Sequence, residues 1–405
     1  MVFPDKNWRE IEFISKEGKK LASVDLSTLP NMNFLDGLFP ENVFYVGTLV
    51  SPHAFLSINH LVLGYAADGI YRERPVGMRE LADQRNFLIG TDLASLYNGN
   101  LQTYSILENE FNGATIDFSW DQIEPEKGKF DFSITDPQVQ FAIDHKMKIT
   151  GLHLLWGERG HLPEWLVNGN FSKDELKGIL REYIFSLATH YEGKIFIWSI
   201  ANEYTDRVIW GGDFWRDKLG PEYVKLAFGW AREADPNAIL MLNEDGNDSM
   251  ANWHAQVTSL MLSYVKNWKL EGVPIDAIGM QMHFGQVINN PVPTTDQVVE
   301  TMNQFSNLGL PVYITEFDLN LQNVPGSEAE RARYQADGYQ RMFTACLEAD
   351  ACKGFSVYGI SDTSSWLNST YPNAQPLLFD KNNEPKPAYY ALINELKQLK
   401  TTPQP

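Results

Sequence analysis

From Leu81 onward, short apolar runs alternate with longer stretches whose apolar residues recur every three or four positions. The runs are FLIGT (87–91), GATIDF (113–118), KITGLHLL (148–155), KIFIWSIAN (194–202), AILMLN (238–243), DAIGMQMHF (276–284), PVYITEF (311–317) and KGFSVYGI (353–360). Near-continuous apolar strands suit a parallel sheet covered on both faces. The intervening stretches carry helix-start signals. Ser172 with Glu175 and Ser327 with Glu330 have the spacing of capping boxes. Asp136 before Pro137 reads as an N-cap ahead of a first-turn proline. After Ser172, the positions Leu176, Ile179, Leu180, Tyr183, Ile184 and Leu187 form one apolar stripe. Eight strands separated by helices predict an α/β fold, a closed (β/α)8 TIM barrel. An open doubly wound sheet ranks second, because no Gly-x-Gly-x-x-Gly follows any strand.

The first 77 residues differ. IEFISKEGKKLASVDL (11–26) reads as two strands around a turn, VFYVGTLV (43–50) as another, and INHLVLGYAA (58–67) as a further β-rich run. The expected division is a small β-rich N-terminal extension over 1–77, either carbohydrate-binding or a structural brace, and a barrel over 78–400. The tail TTPQP is expected to fray.

Composition narrows the ligand. A formal charge of −19 disfavours nucleic acid, anionic membranes and polyanions, and leaves a neutral polysaccharide or oligosaccharide compatible. The 11 Trp, 17 Tyr and 23 Phe supply rings of the kind that stack on sugars, although most such rings belong to the core. No run of 18 apolar residues predicts a membrane span. Cys346 and Cys352 cannot form a four-ligand zinc site alone. A short disulfide and two buried thiols both remain open. The start MVFPDKNWRE lacks the features of a signal peptide, so the expectation is secretion with its leader absent from this sequence, with a cytoplasmic location as the alternative. No metal or cofactor is implied, and a monomer is expected.

The ends of barrel strands are where chemistry collects. Strand four closes on Asn202 and Glu203, strand seven on Thr315, Glu316 and Asp318, and strand six on Gln281 and His283, which a period of two places on one face. A glutamate ending an apolar strand is costly unless paired or useful. Two of them across one barrel mouth fit glycoside hydrolysis, in which one carboxyl protonates the leaving oxygen and the other attacks or activates water. Structural ion pairs are the bland alternative. The neighbouring Asn202, Gln281 and His283 tip the balance toward catalysis. Asn243, Glu244 and Asp245 close strand five and fit either the mouth or a loop cap.

Together with WDQIEPEKGKFDF (120–132), WSIANE (198–203), IDAIGMQMHFG (275–285), ITEFD (314–318), VYGISDTSSW (357–366) and PLLFDKNNEPKPAYYAL (376–392), these residues resemble glycoside hydrolase family 10, the endo-β-1,4-xylanase family, from Leu81 to about Leu392. The resemblance implies a retaining hydrolase of internal β-1,4 linkages in xylan-type polysaccharides. It implies Glu203 as acid/base and Glu316 as nucleophile. Asn202 would bond the sugar 2-hydroxyl, His283 would orient Glu316, and Asp318 would hold His283. Gln281 would join the substrate-binding set, and Trp156, Tyr358 and Trp366 would form sugar-binding walls, Tyr358 standing where relatives usually have tryptophan. Cys346 and Cys352 match a pair that some relatives carry bonded.

Departures fall on the glycone side. Where relatives usually read Glu-Asn-x-Met-Lys-Trp, this chain has Thr115, Ile116, Asp117, Phe118, Ser119 and Trp120. The usual histidine after strand three is Leu152, with His153 adjacent, and Arg159 and His161 lie in a loop two residues longer than usual. Each lost hydrogen bond to a sugar hydroxyl is worth about 0.5–1.5 kcal/mol. Two alternatives therefore accompany the main reading: the same chemistry on a different β-linked glycan, and a non-catalytic carbohydrate-binding barrel.

Overall fold

The computed structural model describes residues 10–14, 20–25, 43–46, 62–65, 76–97, 101–285 and 292–398. The chain divides into two units, Met1–Val76 and Gly77–Pro405. In the first, Glu10–Ile14 pairs antiparallel with Lys20–Asp25, and Val43–Val46 with Val62–Tyr65. These pairings lie in the runs read as β-rich. Most of the expected turn between the first two strands, the histidines of that unit and the C-terminal tail lie outside the described residues.

The second unit is the expected (β/α)8 barrel. Its strands are β1 (Leu88–Asp92), β2 (Gly113–Asp117), β3 (Lys148–Leu152), β4 (Ile197–Asn202), β5 (Ile239–Glu244), β6 (Ala277–Met280), β7 (Val312–Leu319) and β8 (Cys352–Val357). Each pairs in parallel with the next, and β8 closes on β1 through Gly354 opposite Leu88. Right-handed strand–helix–strand crossovers place the helices outside. A short continuation of β6, His283–Phe284, pairs with Asp318 and Leu319.

The patterning explains the layers. The stripe Leu176, Ile179, Leu180, Tyr183, Ile184 and Leu187 is buried on the helix Lys173–His190, where the Ser172–Glu175 capping box forms as expected. Ser327 and Glu330 cap Glu328–Glu348 in the same way, and Thr294 with Gln297 forms a third box at Thr295–Ser306. One expected start signal is overruled. The helix Thr135–Asp144 begins before Asp136, which makes no cap bond. Its carboxylate instead accepts from Tyr191 Oη at 2.9 Å and meets His190 Nε2 at 2.8 Å. Long-range partners win over the local cap.

Inside the barrel, Leu88, Ile197, Met241, Ala277 and Tyr313 form a small buried cluster. Met241 and Asn243, and likewise Tyr313 and Thr315, are two apart and share the inward face of their strands. Apolar side chains therefore fill the lower barrel, and polar ones follow toward the C-terminal ends. Cys346 and Cys352 are disulfide-bonded, which ties the end of Glu328–Glu348 to the start of β8.

Candidate active site

Asn202 and Glu203 are adjacent in sequence, as are Thr315 and Glu316, and a regular pleat would send each pair to opposite faces. Strand β7 breaks register at its pair, and β4 breaks register just before its own. The β4–β5 pairing slips between Ser199 and Ala201, and the β7–β8 pairing between Ile314 and Phe317. An extra residue in a strand re-aims the side chains beyond it. Thr315 Oγ1 donates to Asn243 Oδ1 at 2.8 Å, while Asn243 Nδ2 donates to Glu316 Oε1 at 2.7 Å. Two successive residues thus reach the same side chain. At β4, Glu203 takes a left-handed conformation, φ 53° and ψ 33°, and starts the helix Tyr204–Trp210.

The two glutamates sit in different surroundings. Glu203 Oε2 accepts from Trp156 Nε1 at 3.2 Å and from Arg207 at 3.0 Å, and Gln281 Nε2 approaches Oε1 at 3.5 Å. Burial raises the Glu203 pKa above the ordinary carboxylate value, Arg207 and His153 oppose this, and the charge of Glu316 adds to it. Glu316 is 2% exposed. Besides Asn243, it has His283 Nε2 at 3.5 Å from Oε2. His283 Nδ1 lies 2.9 Å from Asp318 Oδ2, and Trp366 Nε1 donates to that same oxygen at 2.8 Å. Burial alone would lower the His283 pKa, but Asp318 and Glu316 outweigh it and raise it well above the usual value. The imidazole stands between Asp318 and Glu316, whose charges favour its protonated form.

A chain of amides joins the pair. Asn202 Oδ1 accepts from Asn243 Nδ2 at 2.9 Å and from Gln281 Nε2 at 3.1 Å. Asn202 Nδ2 is buried and has no protein partner among the described residues. Gln281 reaches Asn202 and Glu203 while His283 reaches Glu316 and Asp318, and regular strand alternation does not place them, since Met282 between them has φ 64°. Tyr358 and Trp366 meet His283 edge-on, with ring centroids 5.6 and 5.2 Å away. Trp366 is 45% exposed, open to a ligand.

Trp156 lies against two imidazoles, His161 at 3.9 Å and His153 at 4.7 Å between centroids. His153, adjacent to the buried Leu152, has φ 59° and places Nδ1 3.0 Å from Asp117 Oδ1. Burial works against its charge, yet Asp117 dominates and raises its pKa. Arg159 turns away, its guanidinium 5.3 Å from the Phe214 ring centre. The altered region after β2 and β3 is thus a new polar corner made of Asp117, His153 and His161.

Several site residues escape sequence reasoning. Asn243 reads in the sequence only as part of an ambiguous cluster; the structure makes it the hub between Glu316, Thr315 and Asn202. Glu244 is buried and accepts from Thr205 N at 2.6 Å, so it caps the helix after Glu203. Asp245 and Asp92 have pKa values raised by burial to about 7 and about 6. Arg207, on the first turn after Glu203, carries no motif; its i+4 spacing from a strand-end glutamate is the one available signal. Among the described residues, no group of three or more His, Cys, Asp or Glu could hold a metal ion.

Chemically, the mouth offers one carboxyl whose pKa burial raises and a second carboxyl held by an amide and an imidazole. Unequal environments of this kind separate an acid from a nucleophile.

The family model for glycosyl hydrolase family 10 matches residues 77–395. Endo-1,4-beta-xylanase B of Thermotoga neapolitana is 33% identical over 338 residues, covering 82% of this chain and 94% of the relative. Among solved structures, native xylanase 10B from Thermotoga maritima superposes with a TM-score of 0.73 at 32% identity, over 80% of this chain and 98% of the other. Xylanase 10B from Thermotoga petrophila RKU-1, solved with xylobiose, gives 0.73 at 31% identity over 81% and 99%.

Proposed function

The chain belongs to glycosyl hydrolase family 10 and is an O-glycosyl hydrolase, and from that premise we propose that it cleaves internal β-1,4 linkages of xylan-type polysaccharides with retention, Glu203 serving as general acid/base and Glu316 as nucleophile. The observation that carries this reading is the unequal pair at the ends of β4 and β7. Burial raises the Glu203 pKa and so favours its protonated form, while Asn243 and His283 contact Glu316.

In the first step the Glu316 carboxylate attacks the anomeric carbon, the Glu203 proton passes to the departing glycosidic oxygen, and the C–O bond breaks. A glycosyl ester on Glu316 results. In the second step Glu203 takes a proton from water, which attacks the same carbon and releases Glu316. Two inversions give net retention. Asn202 Nδ2, a buried donor without a protein partner among the described residues, suits a sugar hydroxyl at the cleavage point. Gln281 would hold both Asn202 and Glu203, and Asp318 would keep His283 charged and aligned. Trp366 and Tyr358 would wall the sugar, and Trp156 would contribute chiefly through its edge and its N–H. Residues 1–77 form an accessory extension to the barrel unit 78–400 in this reading.

The test is release of reducing ends from xylan, arabinoxylan, β-glucan, cellulose and mannan, with proton NMR of the first-formed anomer. Xylan cleavage with a β-anomeric product, abolished in Glu203→Ala and Glu316→Ala, is expected. An α-anomer would remove the nucleophile role from Glu316. Cleavage of another glycan in preference to xylan would transfer the substrate assignment to it, as the Asp117–His153–His161 corner would favour. Binding without cleavage would leave a carbohydrate-binding barrel.

A further inference from the structure

Arg207 lies one helical turn beyond Glu203 and donates from a single nitrogen to two carboxylates, Glu158 Oε2 at 2.7 Å and Glu203 Oε2 at 3.0 Å. Glu203 Oε2 also receives the Trp156 indole N–H. That oxygen therefore has two donors pointing at it and no room for a proton of its own. Both contacts are strongest to an ionised carboxylate, so they weaken when Glu203 carries its proton, whichever oxygen holds it. Glu158 offers the alternative: its side chain is 40% exposed and already has the shorter contact.

We propose that Arg207 is a positioning residue shared between Glu158 and Glu203, bridging both while Glu203 is ionised and moving wholly to Glu158 when Glu203 carries its proton. This rests on the acid/base role proposed above for Glu203. Glu158 is then the counterweight that keeps a neighbouring arginine from locking the acid/base in its ionised form. The other charged groups around this contact are His153 after β3, Glu244 on β5 and Asp245 just after it, and Glu316 on β7, with His283 beyond β6 facing Glu316 and Asp245, and Asp206 on the same helix facing Arg207 and Glu158. None of these side chains is itself replaced in the Arg207 and Glu158 variants; Asp206 feels both charges and shifts with either, so the readout is the Glu203 signal itself.

The sign of each effect follows from charge. Removing Arg207 takes a cation from Glu203 and favours its protonated form. Removing Glu158 leaves the guanidinium entirely to Glu203 and favours the carboxylate. An opposite charge within about 4–6 Å typically moves a carboxyl pKa by about 1–3 units.

The experiment is a carbon-13 NMR titration of the full chain labelled at glutamate Cδ, the Glu203 signal being assigned by its loss in Glu203→Gln. It runs beside the pH profile of kcat/KM on xylan. Arg207→Gln is expected to raise the Glu203 midpoint and the alkaline limb by at least about one pH unit. Glu158→Gln should lower both, and Arg207→Lys should stay near the parent. Shifts of the same sign in Arg207→Gln and Glu158→Gln, or none in variants with unaltered thermal unfolding, would overturn the proposal. A merely structural role would lower kcat without moving the midpoint. If the midpoints move as expected but the parent chain cuts no glycan, the shared contact stands and the hydrolase assignment falls instead.

Discussion

His153, Glu203 and Met282 all carry positive φ, at 59°, 53° and 64°, and all three lie where strands β3, β4 and β6 give way to the mouth. For an L-residue with a side chain this conformation costs roughly 1–2 kcal/mol. Such outliers persist where the surrounding contacts over-determine them. At Glu203 the holding contacts are its own N–H on Asn243 O at 3.0 Å and the donors around its carboxylate. Replacing it removes the carboxylate but not the backbone turn. Glu203→Gly should therefore be more stable than Glu203→Ala by about 0.5–1 kcal/mol, once the greater chain entropy of unfolded glycine is subtracted. Urea denaturation of the two inactive variants measures this. An alanine variant as stable as the glycine one would mean the turn relaxes when the side chain is lost.

At the scale of elements, the site depends on how closely β5 and β6 approach. A Cβ built on Gly279 would lie 2.1 Å from Asn243 Oδ1, so the glycine on β6 is what gives the β5 asparagine its place. Asn243 in turn holds Glu316 and Asn202. Gly279→Ala should swing that amide and misplace the carboxylate. Misplacements of about 1 Å in an active site can lower kcat on the order of 100-fold. The expected result is that loss in kcat with circular dichroism unchanged; an unaffected kcat would show that Asn243 is not the positioning hub. The register slip in β7 acts at the same scale, since it spans Thr315 and Glu316 and lets both reach Asn243. The slip in β4 lies before Asn202, and there the left-handed turn at Glu203 brings the adjacent pair together.

Across the barrel unit, acidic groups converge on one end: Asp92 from β1, Asp117 from β2, Glu203 after β4, Glu244 and Asp245 from β5, and Glu316 and Asp318 from β7. His153, Arg207 and His283 offset part of this charge. Where they do not, the carboxyls shift upward, and burial takes Asp245 from 3.8 to about 7 against the pull of His283. The linkage has a definite sign. A carboxyl whose pKa is raised on folding contributes stability that is complete below its unfolded value and is lost as pH rises through its folded value. Between about pH 4 and pH 7, Asp245 therefore makes the fold progressively less stable relative to a neutral side chain. Asp245→Asn should raise the melting temperature more at pH 8 than at pH 4.5. An equal change at both would show that Asp245 titrates normally.

The barrel class, its eight strands and two capping boxes were all legible in the chain, as were Glu203 and Glu316 as candidates at strand ends, because each is written locally. An apolar run marks a strand wherever it lies, and a carboxylate ending that run marks the barrel mouth. What the sequence could not supply was written between distant residues. Asn243 meets Glu316 across 73 positions, and Arg207 meets Glu158 across 49. Asp136 abandons its local cap for Tyr191, 55 positions away. The inward turn of both Thr315 and Glu316 depends on register with the neighbouring strand, and that of Asn202 and Glu203 on a left-handed turn held by contacts across the mouth; both belong to the closed sheet. Periodicity therefore determined which residues could reach the mouth, and barrel closure decided which of them touch, since hydrogen-bond partners are fixed by distances that only the folded chain sets.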